Sequence, residues 1–115
     1  MVMAEERSFR VVMETPDGLH SIDCGADEYI LNAAAGEGIW LPAICRQGRC
    51  LTCAARLLEG VVEHDHPDAY FAEDQVSGFI LPCRAMPRSD VRICTHQESE
   101  MRAHRLAHGL PAPYS

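Results

Sequence analysis

"CRQGRCLTC" (residues 45–53) places Cys45, Cys50 and Cys53 within nine residues of a 115-residue chain that holds six cysteines in all. A reactive thiol would use one of them and a disulfide two. Three thiols beside a glycine and two arginines suit a metal centre whose fourth ligand arrives from elsewhere. Cys83, reached after 29 intervening residues, is placed to supply it.

The flanks of this stretch read as short alternating elements. "RSFRVVME" (7–14) puts Phe9, Val11 and Met13 on alternate positions, the period of a half-buried strand. "TPDG" (15–18) is a turn, and "LHSIDC" (19–24) returns as the second arm of a hairpin. Asp27 is expected to cap a helix over 28–35 with Tyr29, Ile30, Ala33 and Ala34 on its apolar side, ended by Gly36 and Gly38. Beyond the cysteines, "CAARLLEG" (53–60) reads as a strand closed by a glycine turn. Residues 61–78 read as a polar connection with one helical turn near 72–76. "FILPC" (79–83) is an apolar strand cut short by Pro82, "DVRICTH" (90–96) a final strand, and 98–109 a short helix. The expected class is α+β: two hairpin-like pairs, a small mixed sheet and one main helix, in a single domain over 1–100 with a C-terminal extension over 101–115.

Cys45-x4-Cys50-x2-Cys53 followed by a distant Cys83 is the spacing of four-thiolate [2Fe–2S] ligation. An all-cysteine zinc site shows two matched Cys-x2–4-Cys knuckles, whereas here a triplet faces a single cysteine. A Rieske centre replaces two cysteines by histidines, and Cys94-Thr95-His96 has no cysteine downstream to complete that pair. A thioredoxin-like Cys-x2-Cys pair would leave Cys45 and Cys83 idle. A disulfide framework needs an oxidising compartment, for which nothing in the chain argues. Cys24 and Cys94 fall outside the pattern and read as small core thiols. His64 and His66 flank Asp65 and read as solvated loop histidines rather than a second metal pair.

Formal net charge is −7, with ten arginines, no lysine and seventeen acids. All the acids lie in residues 1–100, leaving that part at −9, while the last fifteen residues carry +2. Glu59, Glu63, Asp65, Asp68, Glu73 and Asp74 form a run free of basic residues. Such a surface repels nucleic-acid phosphate and anionic lipid, and it steers a basic protein patch. No stretch approaches the roughly 20 apolar residues of a membrane span. The first ten residues lack the order of a secretory signal, so the expected location is the cytoplasm.

"IDCGADEYILNAAAGEGIWLPAICRQGRCLTCAARLLEGVV" and "DQVSGFILPCRAMPRSDVRICTHQE", with the hairpin before them, resemble plant-type [2Fe–2S] ferredoxins over roughly residues 8–98. The resemblance implies a β-grasp (ubiquitin-like) fold and a one-electron carrier that is no enzyme, with one [2Fe–2S] cluster held by Cys45, Cys50, Cys53 and Cys83. It implies as partners a ferredoxin reductase and an electron-accepting enzyme, met through the acidic surface. Tyr70, with Phe71 as its competitor, and Glu98 match the aromatic and the acid through which such proteins dock. The alternatives are a partly buried anchor under the loop for Tyr70 and a helix N-terminal acid for Glu98. The chain departs from the family at Ile44 and Leu51, where hydroxyl residues that can donate to sulfur are common, and at Arg49, often a small residue. The expected role is a freestanding monomer serving a bacterial Rieske-type or haem-thiolate oxygenase. The alternatives are a photosynthetic-type carrier, a permanently bound electron-input subunit, and a cysteine-based metal sensor. The tail after Glu100 is expected either to pack on the acidic body or to meet a partner.

Overall fold

The computed structural model describes residues 7–43, 47 and 51–112. Strand β1 (Ser8–Thr15) buries Val11 and Met13 on alternate positions, as the period predicts. It runs antiparallel to β2 (Gly18–Gly25) in an unbroken register from Ser8–Gly25 to Thr15–Gly18. The turn is closed by the Thr15 hydroxyl, which donates to Gly18 O (2.9 Å) and accepts from the Asp17 N–H (3.1 Å).

Helix α1 (Ile30–Gly36) begins two residues later than expected, and Asp27 does not cap it. The residues before it are committed to a turn instead. Glu28 N–H donates to Gly25 O (3.0 Å), and the Glu28 carboxylate accepts from the Gly25 N–H (3.0 Å). Ile30, Leu31, Ala33 and Ala34 are buried, while Tyr29 is only half-buried at the N-cap. The helix ends in a Schellman motif: Ile39 N–H bonds Ala34 O (2.9 Å), Gly38 N–H bonds Ala35 O (3.0 Å), and Gly38 takes the left-handed φ of +79°.

After the cysteine segment come β3 (Ala55–Glu59), β4 (Val62–His64), α2 (Ala72–Val76), β5 (Phe79–Ile80), β6 (Ala85–Pro87), β7 (Val91–Cys94) and α3 (Glu98–Ala107). Five strands form one mixed sheet in the order β2-β1-β7-β3-β5, with β1 and β7 parallel and the other neighbours antiparallel. In place of a second hairpin, β3 lies between β5 and β7. β4 and β6 form a separate two-stranded sheet; β4 falls in the stretch expected as a polar connection, and β6 lies between the strands expected over 79–83 and 90–96. The strand expected over 79–83 stops at Ile80, because the chain turns there: Arg84 N–H bonds Leu81 O (2.9 Å) across Pro82. Gly60 sits at φ +96° where β3 turns toward β4, and a Cβ on it would lie 2.3 Å from Asp90 O. A mixed sheet with α1 packed across it is the β-grasp arrangement.

Two apolar clusters fill the interior. One joins α1 to the sheet through Val11, Met13, Ile30, Ala34, Ile80 and Ile93. The other gathers Leu31, Leu51, Cys53, Phe79, Leu81, Cys83 and Met101. Met101 comes from α3, so the helix that crosses residue 100 packs on the body.

Candidate iron–sulfur centre

Cys53 stands two residues before β3 and Cys83 three residues after β5, and the fold brings both into the second apolar cluster. They are 3% and 4% exposed. Each arrives on a short segment that is held from several sides. At Cys53, Ala54 N–H bonds Leu51 O (3.0 Å) and Gln97 N–H bonds Ala54 O (2.9 Å), tying the start of β3 to the approach of α3. At Cys83, Leu31 N–H donates to Pro82 O (3.0 Å), so a first-turn amide of α1 that has no partner within its helix is satisfied by the turn carrying the cysteine. On the other side Leu81 N–H donates to His64 Nε2 (3.0 Å).

Cys45 and Cys50 lie outside the described residues, as do Ile44, Arg46 and Arg49. Between them Gln47 is described, and both its backbone and its side chain are tied to described residues. Its carbonyl accepts from the Asp68 N–H (2.9 Å), and its side-chain oxygen accepts from Arg84 Nη2 (2.8 Å). Gln47, which lies between Cys45 and Cys50 in the sequence, is thereby joined to the residue after Cys83.

Arg84 belongs to a network that the sequence reading did not single out. Its Nη1 donates to Tyr29 Oη (2.9 Å) and lies 3.9 Å from Asp65 Oδ2, and the Tyr29 hydroxyl donates to Asp65. That last bond is the main reason the Tyr29 pKa rises above its ordinary value. An Arg directly after Cys83 was the available signal, but Tyr29 and Asp65 stand 55 and 19 positions away in the sequence.

The other predicted residues are also placed. Tyr70 donates its hydroxyl to Phe79 O and stacks on His64 with ring centroids 3.8 Å apart. Burial pushes its phenol pKa up. Burial likewise lowers the His64 imidazole to about 4, which keeps Nε2 free to accept from Leu81. Glu98 opens α3 and pairs with Arg102 at 3.0 Å, one turn along. His66 is exposed, and no set of three or more His, Cys, Asp or Glu is gathered as for a metal ion among the described residues. Cys24 is fully buried in the sheet cluster, its Sγ donating to Glu28 O (3.3 Å), and burial raises its thiol to about 12. Cys94 is half-buried and accepts from Gln97 Nε2 (3.4 Å).

The acidic run divides. Glu59, Glu63, Asp68 and Glu73 are exposed, Asp65 is half-buried beside Arg84, and Asp74 is fully buried. Asp74 accepts from Arg105 Nε through both oxygens (2.9 and 3.1 Å) and caps α2 by accepting the Phe71 N–H (2.9 Å).

Residues 14–88 match the family model described as a 2Fe-2S iron-sulfur cluster binding domain. Ferredoxin-2 of Synechococcus sp. is 46% identical over 88 residues, covering 75% of this chain and 80% of that one. The chain belongs to the plant-type [2Fe–2S] ferredoxin family. The reductase subunit of an aromatic O-demethylase from Amycolatopsis sp. is 35% identical over 95 residues, 81% of this ferredoxin but only 27% of that longer chain. The solved structure of pectocin M2 superposes with a TM-score of 0.71 at 29% identity, over 89% of this ferredoxin and 41% of that chain.

This ferredoxin is a one-electron carrier with one [2Fe–2S] cluster. The site suits the group: Cys53 and Cys83 offer soft sulfur donors, the ligand type that iron–sulfur clusters take, from one buried apolar cluster. When bound, the cluster supplies a couple that takes up and releases a single electron. Among the described residues no helix is long and apolar enough to cross a membrane.

Proposed function

We propose that Cys45, Cys50, Cys53 and Cys83 are the four cluster ligands and that the ferredoxin carries electrons from a reductase to an oxygenase. The observation that carries the ligand set is the joint burial of Cys53 and Cys83 in one apolar cluster, although they come from segments 30 positions apart. The spacing of Cys45 and Cys50 completes it. The oxygenase assignment rests on the likeness to the O-demethylase reductase subunit. The exposed acids Glu59, Asp68 and Glu73, with Glu63 beside its partner Arg88, offer the partner protein negative charge.

Side chains have little chemistry to perform in such a carrier. They hold the sulfur ligands, limit the access of water and set how readily the electron is taken up. Anaerobic purification should give a red-brown protein with stoichiometric non-haem iron and acid-labile sulfide, bleached by one-electron reduction. Serine at Cys45, Cys50, Cys53 or Cys83 should each lower the cluster content, whereas Cys24→Ser and Cys94→Ser should retain it. Full iron and sulfide in a ligand variant would remove that cysteine from the set. Rapid reoxidation by a Rieske-type or haem-thiolate oxygenase, and none by either, separates the acceptor readings.

A second reading, an electron-input module held permanently in a larger complex, is favoured by one observation: the O-demethylase subunit is a chain of which this ferredoxin matches about a quarter. A stable lone monomer in size-exclusion chromatography would argue against it.

A further inference from the structure

Arg84 Nε is buried and has no hydrogen-bond partner among the described residues. A buried donor on a charged group costs more when left unpaired than a neutral one does, so native structures seldom leave one. The rest of this guanidinium is well satisfied. Nη2 holds the Gln47 side chain at 2.8 Å and Nη1 holds Tyr29 Oη at 2.9 Å. Those two bonds hold the group between Gln47 and the N-cap residue of α1. The unpaired N–H therefore belongs to a residue adjacent to one proposed ligand, braced against the segment of two others.

We propose that Arg84 sets the cluster's readiness to accept an electron, its Nε–H being the donor that meets sulfur when the cluster is bound. This rests on the ligand reading given above. The physical basis is charge. Reduction adds a negative charge to an already anionic centre, and a fixed cation with an N–H donor stabilises the reduced state more than the oxidised one. Asp65 at 3.9 Å offsets only part of that cation, because its Oδ2 is also engaged by the Tyr29 hydroxyl. Arg84 is a positioning residue in this sense: it exchanges no electron, and acts through the sulfur it faces and through Gln47.

The experiment is a spectroelectrochemical titration of the purified holoprotein and its variants, with iron and sulfide measured on each. Arg84→Met should keep both at parent levels and shift the midpoint downward, by up to about tenfold in the reduction equilibrium constant, which is 59 mV for one electron. Arg84→Lys, which keeps the charge without the Nε–H, should fall between Met and parent. An unchanged midpoint in a fully loaded Arg84→Met protein would overturn the proposal, and so would a Lys variant at the parent potential. If Arg84→Met does not load, the Lys variant decides in the same way. A parent without iron and sulfide would instead defeat the ligand reading, so the two failures are distinguishable.

Discussion

Arg105 and Arg84 each pair with an acid of the run between residues 59 and 74, Arg105 with Asp74 and Arg84 with Asp65, in opposite surroundings. Asp74 and Arg105 are both 0% exposed. Every guanidinium nitrogen of Arg105 is engaged: Nε by both Asp74 oxygens, Nη2 by Asp74 Oδ2 (2.9 Å) and Ala69 O (3.1 Å), and Nη1 by Pro111 O (2.7 Å). The Phe71 ring lies under its Cζ at 4.8 Å. Arg84 and Asp65 stand 3.9 Å apart with side chains 20% and 35% exposed, and one nitrogen is left over. The first pair is closed on itself and fastens α3 to α2. The second is open and joins the residue after Cys83 to Tyr29 and Gln47. The two pairs thus differ in whether the hydrogen bonds of the guanidinium are complete among the described residues.

The largest effect should come from opening the closed pair. Breaking a buried ion pair leaves an uncompensated charge in a dry place, and Arg105→Ala should cost about 3–5 kcal/mol in urea unfolding. His104 cannot take over, because its Nε2 lies 3.0 Å from Asp74 Oδ1 but off the line of a hydrogen bond. Replacing both partners, Asp74→Leu with Arg105→Met, should recover most of the loss, since an apolar pair needs no compensation. A loss in the double variant as large as in Arg105→Ala would show that α3 is held by something other than the pair. The midpoint of the cluster should change little in the double variant, whereas Arg84 variants should show the reverse pattern.

His64 stands between the two pairs, adjacent to Asp65 in sequence and electrostatically coupled to Asp74. Burial lowers its pKa from 6.5 to about 4, with Asp74 opposing the shift. Between those values the unfolded chain binds a proton that the folded chain refuses. The stabilisation is therefore complete above about pH 6.5 and drains away as the pH falls toward 4, by up to roughly 3 kcal/mol across the window. His64→Gln keeps an acceptor for the Leu81 N–H and does not titrate. Urea midpoints measured from pH 7.5 to 5.5 should fall less steeply in that variant than in the parent. Equal slopes would mean that the imidazole is protonated in the folded chain as well.

Local patterns were readable because each is written within a few residues. The alternation of Val11 and Met13, the turn at Pro16-Asp17, helix α3 and the spacing of the four cysteines needed no knowledge of distant segments. What escaped depends on pairings across the fold. β4 and β6 are three residues each, too short to show a period, and they exist because Val62–His64 meets Ala85–Pro87. Asp27 has the chemistry of a cap, but Glu28 and Gly25 close a turn around it and pass the helix start to Tyr29. The acidic run looked unpaired because its arginines come from elsewhere: Arg88 for Glu63, Arg84 for Asp65, and Arg105 for Asp74. Among the described residues Gln47 bonds Arg84 from between Cys45 and Cys50 in the sequence, and nothing in a lone glutamine announces it.

The smallest effect should come from Tyr29→Phe, which tests how the open pair is braced. The ring is retained, and only the hydroxyl that joins Arg84 Nη1 to Asp65 is lost. Arg84 keeps its charge, its Nε–H and its hold on Gln47, so the midpoint should stay close to that of the parent. The brace is nevertheless looser, and Gln47 is held at its other end by the Asp68 N–H. Hydrogen exchange of the Asp68 amide should therefore quicken by roughly threefold, a local opening that leaves global unfolding unchanged. A midpoint shift as large as that of Arg84→Met would move the electrostatic role from the arginine to the tyrosine that positions it. Asp68 exchange at the parent rate would show instead that Gln47 holds Arg84 without help, and that the open pair is as self-sufficient as the closed one.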